Sequence, residues 1–111
     1  MLDKTNTAPL YLVEINLGKL GNVFPEIDRL TNSRASIISN IVSGEWDRPL
    51  RVLEITENEN RCIDVSEDIA REICNRVVDG EPMPTGGAFD FCEEYLGCHH
   101  MADLSREVEA A

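Results

Sequence analysis

The chain has 111 residues, enough for one hydrophobic core and too few for two. Apolar residues make up 42% and charged ones 28%, which excludes a chain disordered throughout, and no apolar run approaches the roughly eighteen residues of a membrane span. The net charge of −11 sits in one half: residues 1–53 hold six acids and six bases, whereas residues 54–111 hold fifteen acids against four arginines, the opposite of what binding a phosphate backbone requires.

Residues 1–6 lack the basic-then-apolar layout of a secretory leader, which points to the cytoplasm. Residues 10–17 alternate, with Tyr11, Val13, Ile15 and Leu17 on one face, and read as a first strand. Pro25 opens a short helix carrying Ile27 and Leu30. Ser33 or Asn32 caps a helix over 34–43, with Ile37, Ile38, Ile41 and Val42 on its apolar stripe and Gly44 just past its end. Strands over 50–56 and 61–65 flank the polar turn 57–60 and form a β-hairpin. Ser66 reads as the N-cap of a helix over 67–79, with Ile69, Ile73 and Val77 facing the core and Glu72 and Arg76 forming an i,i+4 pair. Residues 81–87, rich in Pro and Gly, form an exposed connector, and 88–96 a short helix with buried aromatics that stops at Gly97. The end, 102–111, is a tail that can form a weak helix through Leu104 and Val108 and frays unless docked. The expected fold is α+β. A single domain over 1–101 has a small antiparallel sheet of about three strands, covered on one face by three or four helices, and the tail follows.

The run Ser43-Gly44-Glu45-Trp46-Asp47-Arg48-Pro49-Leu50-Arg51-Val52, followed by Asp64-Val65-Ser66-Glu67-Asp68-Ile69-Ala70, resembles small uncharacterised bacterial proteins. They share a helix, a Pro-led strand, a hairpin and a D-V-S-E-D-I-A helix start. The resemblance covers residues 34–79, supports that order of elements, and implies no activity, cofactor or site residue.

Cys62, Cys74, Cys92 and Cys98 form no C-x-x-C pair, and without a secretory context they are expected to be free thiols, Cys62 and Cys74 as small core residues. Cys92, Cys98, His99 and His100 are all residue types that zinc accepts, but zinc sites favour C-x₂₋₄-C and H-x₃₋₅-H spacings, so a metal site is not expected there. Gly86-Gly87 is not followed by Lys and Ser or Thr, which argues against a phosphate loop. Nothing marks an activating environment for the thiols beside the histidines and the acids lie mainly on expected solvent faces or turns, so the chain is not expected to be an enzyme or to carry a cofactor.

The one-sided charge points instead to a protein partner with a basic surface, and to neither nucleic acid nor a membrane. Glu54, Glu57, Glu59, Glu67, Asp68, Glu72, Glu81, Glu93 and Glu94 are the candidate binding residues. On one face they would mimic the phosphates of a duplex and occupy a nucleic-acid-binding surface, as in anti-restriction or anti-CRISPR inhibitors, which this chain resembles in size and charge but not in any motif. The alternative is a homodimer or adaptor that binds through apolar residues near Trp46, Met83 and Phe91 and uses its acids for solubility alone.

Overall fold

The computed structural model describes residues 8–110; the stretches 1–7 and 111 of the expected leader-free start, domain and tail lie outside them. The elements run β1 (Leu10–Asn16), β2 (Asn22–Val23), α1 (Arg34–Ser43), β3 (Pro49–Thr56), β4 (Arg61–Asp64), α2 (Ser66–Val78), α3 (Gly86–Leu96) and α4 (Cys98–Ala110). The fold is α+β, with four strands where the sequence suggests about three.

Local chemistry sets most of these boundaries. Ser33 starts α1 through a capping box: its hydroxyl accepts the Ser36 N–H at 3.1 Å, and the Ser36 hydroxyl accepts the Ser33 N–H at 3.0 Å. Gly44 ends the helix at φ 84°, a left-handed angle that costs glycine little. Asn60 turns β3 into β4 at φ 56°, the tolerance expected of asparagine. Ser66 differs from expectation: it is the first residue of α2, not its cap. Val65 holds the cap position without a side-chain cap bond, and the Asp64 carboxylate before it accepts the Ser66 N–H at 2.9 Å and the Ser66 hydroxyl at 2.6 Å. The Ser66 oxygen is thereby free to accept the Val52 N–H of β3 at 2.9 Å.

No helix forms after Pro25. Leu30 is 95% exposed, so the apolar stripe that would hold such a helix has no core to meet. The Asp28 carboxylate accepts the Leu30 N–H at 3.0 Å and closes a tight turn in its place.

All strand pairs are antiparallel and the sheet order is β2-β1-β3-β4. β1 and β3 form its centre, and their register slips between Glu14 and Ile15, leaving Leu50 as an extra residue on β3. Tyr11, Val13, Ile15 and Val52 project from one face into a core shared with Ile37, Ile38 and Ile41 of α1, Ile69 and Ile73 of α2, Phe91 of α3, and Met101 and Leu104 of α4. Each fully buried aliphatic residue among them stabilises the fold by about 1.5–3 kcal/mol. The burial of Met101 and Leu104 docks α4, so the tail expected at 102–110 is part of a helix that begins at Cys98. Residues 81–87 are not wholly exposed, since Pro84 is buried and Met83 packs on the core. Cys62 is exposed, because it lies opposite Ile55 on the sheet face turned away from the helices, which corrects its expected place in the core.

Gly87 fixes how α3 meets β3. A Cβ there would lie 2.1 Å from the Asp47 carbonyl oxygen and 3.1 Å from Pro49 Cδ, and backbone cannot swing aside as a long side chain can. Gly87→Ala is expected to destabilise the protein by about 1–3 kcal/mol, read from the urea midpoint, although alanine is the better helix former.

Candidate protein-binding surface

The nine carboxylates named from the sequence fall on five parts of the chain. Glu54 is on β3, Glu57 and Glu59 in the turn after it, Glu67, Asp68 and Glu72 on α2, Glu81 in the following loop, and Glu93 and Glu94 on α3. Five of them meet an arginine of the same chain. Arg29 holds Glu57 at 2.9 Å, Arg61 holds Glu59 at 3.1 Å, and Arg71 holds Glu67 at 2.7 Å one helical turn away. These three pairs are largely solvent-exposed and worth little in stability, but each offsets a negative charge locally.

Glu54 and Glu72 belong to a denser cluster. Arg34 of α1 reaches Glu54 at 3.3 Å and Glu72 at 3.6 Å, while its guanidinium carbon lies 5.7 Å from the centre of the Tyr11 ring. The Tyr11 hydroxyl donates to Glu54 at 2.7 Å and accepts from Arg34 Nε at 3.4 Å. The cluster ties two strands to two helices where the helical layer meets the sheet. Glu72 therefore pairs with Arg34, not with Arg76 as helical spacing suggests, because a cation from another helix lies within reach. Burial is the main reason the Tyr11 phenol is held above its usual range, and the Tyr11 hydrogen bond the main reason the Arg34 guanidinium is too.

Asp68, Glu81, Glu93 and Glu94 lie on or beside the helices and have no ion pair among the described residues. Glu81 borders a groove of about 320 Å³ between the end of α2 and α4, with Val77, Val78, Leu104 and Val108 as its floor and Glu107 on the other rim. Glu94 borders a cleft of about 500 Å³ between α3 and the start of β3, together with Asp90, Arg48 and Tyr95. The Tyr95 hydroxyl there is already committed to the Leu50 carbonyl at 2.5 Å.

No protein-family model, no curated protein and no solved structure matches this chain.

The zinc-type residues do not converge. Cys92 is buried on α3, whereas Cys98, His99 and His100 are exposed at the start of α4. Among the described residues no three His, Cys, Asp or Glu side chains gather as a metal site would require. The Cys74 thiol bonds the Met101 sulfur at 3.8 Å, and the Cys92 thiol bonds the Ala70 carbonyl at 4.0 Å. The neighbouring Cys74 thiol, reinforced by burial, pushes the Cys92 thiol well above the ordinary range. The apolar residues offered for an adaptor surface are also displaced. Phe91 is 2% exposed, and Trp46 and Met83 pack against the core. No helix among the described residues is long and apolar enough to cross a membrane.

Two measurements check this chemistry. A thiol-specific disulfide reagent is expected to titrate Cys62 and Cys98 rapidly in the native protein, and to reach Cys74 and Cys92 on the order of a thousandfold more slowly, through unfolding. Because the folded state holds the Tyr11 proton more tightly than the unfolded chain does, stability falls as pH rises past about 10. Tyr11→Phe removes that part of the slope, as urea midpoints between about pH 9 and 11 will show.

Proposed function

We propose that this protein is a non-enzymatic, cytoplasmic binding protein whose helical layer engages a basic protein surface, as an inhibitor of a nucleic-acid-binding protein would. One observation carries the reading. From Ser66 to Ala110 the chain has eleven acids and only three arginines, and Arg71 and Arg106 are each paired with an acid on their own helix. The charge excess therefore belongs to α2, α3, α4 and the loop between α2 and α3. The groove beside Glu81 suits an apolar side chain flanked by Lys or Arg, since its floor is aliphatic, both rims carry a carboxylate, and the negative end of the α2 dipole points into it.

Glu54 and Glu72, committed to Arg34, act within this reading as structural residues, which leaves Asp68, Glu81, Glu93 and Glu94 as the contact set. Phosphate mimicry then rests on fewer charges than the sequence offers. A second reading, an adaptor whose acidity serves solubility, is favoured by the internal pairing of five of the nine acids.

Capture of partners from a cell lysate separates the two. The first reading expects a basic protein whose recovery falls at least about tenfold when salt is raised from roughly 50 to 500 mM. A variant combining Asp68→Asn, Glu81→Gln, Glu93→Gln and Glu94→Gln should lose that protein while keeping its circular dichroism spectrum. Capture that survives both changes, or capture of an acidic partner, leaves only the adaptor.

A further inference from the structure

The centre of the sheet face turned away from the helices is apolar in an otherwise acidic chain, and Cys62 and Asp64 of β4, opposite Ile55 and Leu53, lie at its edge. Strand alternation places Leu10, Leu12 and Glu14 there, since Tyr11, Val13 and Ile15 are the buried residues of β1. The β1–β3 register sets Leu10 opposite Ile55, Leu12 opposite Leu53, and Glu14 opposite Arg51. The four aliphatic side chains are half-buried, and α1, α2 and α3 pack on the other face, with α4 against α2 and α3. Glu14 and Arg51 close one end of the patch as an ion pair of 2.6 Å.

We propose that this face is the interface of a homodimer. With a two-fold axis parallel to the strands, β1 of one copy lies over β3 of the other. Leu12 then meets the partner's Leu53, Leu10 meets the partner's Ile55, and Glu14 meets the partner's Arg51.

Charge selects the second copy over other occupants. A basic partner finds Glu14, already held by Arg51, and at the edge Asp64, already held by the Ser66 N–H and hydroxyl, and an acidic partner finds one guanidinium, already held by Glu14. The centre of the patch rotated by the two-fold axis matches itself, apolar against apolar and Glu14 against Arg51. Stacked sheets lie about 10 Å apart and each helical layer adds about 10 Å, so the acidic helices stand about 30 Å apart, well beyond the screening length of about 8 Å in physiological salt. The strongly charged layers thus remain outside and do not oppose the association.

Area sets its strength. A patch about 24 Å long and 15 Å wide covers roughly 360 Å² per copy, so the pair buries about 700 Å², less than the roughly 1,200–2,000 Å² of stable complexes. The dimer is therefore weak and exchanges with the monomer. This inference is independent of the acidic-surface reading.

Sedimentation equilibrium of the full chain tests it. The average mass is expected to rise from one chain toward two between about 10 µM and about 1 mM. Leu53→Glu should hold the mass at one chain throughout with an unchanged circular dichroism spectrum. Arg51→Glu, which sets carboxylate against carboxylate across the interface, should weaken association about tenfold, and combining it with Glu14→Arg should restore it. If Leu53→Glu does not fold, the charge reversal and its compensation decide alone. A wild-type mass of one chain at about 1 mM, or association that neither Leu53→Glu nor Arg51→Glu weakens, overturns the proposal.

Discussion

β1 and β3 are longer than the strands beside them, and everything else in the molecule is arranged around the backbone groups this leaves unpaired. β2 covers only Ile15 and Asn16 of β1, and β4 reaches only from Leu53 to Thr56 on β3. An unmet buried N–H or C=O costs about 1–3 kcal/mol, so these edges must be closed by something other than strands. Three side chains supply the missing bonds. Asn32 accepts the Tyr11 N–H at 2.7 Å and donates to the Tyr11 carbonyl at 2.9 Å, standing in for a residue of an absent neighbour strand. Ser66 accepts from Val52, and Tyr95 donates to the bulged Leu50. Each of the three also belongs to a helix or its approach, so closing the sheet edge and seating the helical layer are a single event.

The Arg34 cluster has the same double character. Its members come from β1, β3, α1 and α2, and two of the carboxylates it gathers look, in sequence alone, like free surface charge. Internal neutralisation sorts the acids of this chain into those that hold the layers together and those left to face solvent. The result is a two-sided molecule, with charge concentrated over the helices and a sheet face with an aliphatic centre behind them.

What the sequence discloses follows the range of the interactions involved. The limits of α1 are legible because Ser33 and Gly44 act within one turn of the helix they bound. The hairpin is legible because alternation and the Asn60 turn are local. β2 is invisible at two residues, too short for any period, and becomes a strand only because β1 is there to receive it. Ser66 and Glu72 are misjudged for a shared reason: their partners, Val52 and Arg34, lie on elements that sequence spacing does not bring near them. Met101 and Leu104 did carry a readable signal, the three-residue step of one helical face, but its meaning depended on a core for that face to meet. The acids were legible as a charge excess and illegible as a surface, since pairing with distant arginines decides which of them remain available.

The β1–β3 pairing also bears on how the chain is made. The long strand partner of β1, β3, lies about forty residues further along, while β2, the β3–β4 hairpin and the succession α2, α3, α4 join near neighbours. At a synthesis rate of about 5–20 residues per second, Leu-Tyr-Leu-Val-Glu-Ile waits several seconds on the ribosome before β3 has emerged to pair with it. During that interval an apolar, β-prone segment is exposed with only Glu14 to discourage pairing with another nascent chain. The most deeply placed strand of the finished protein is thus the segment that most needs a chaperone while it is being born.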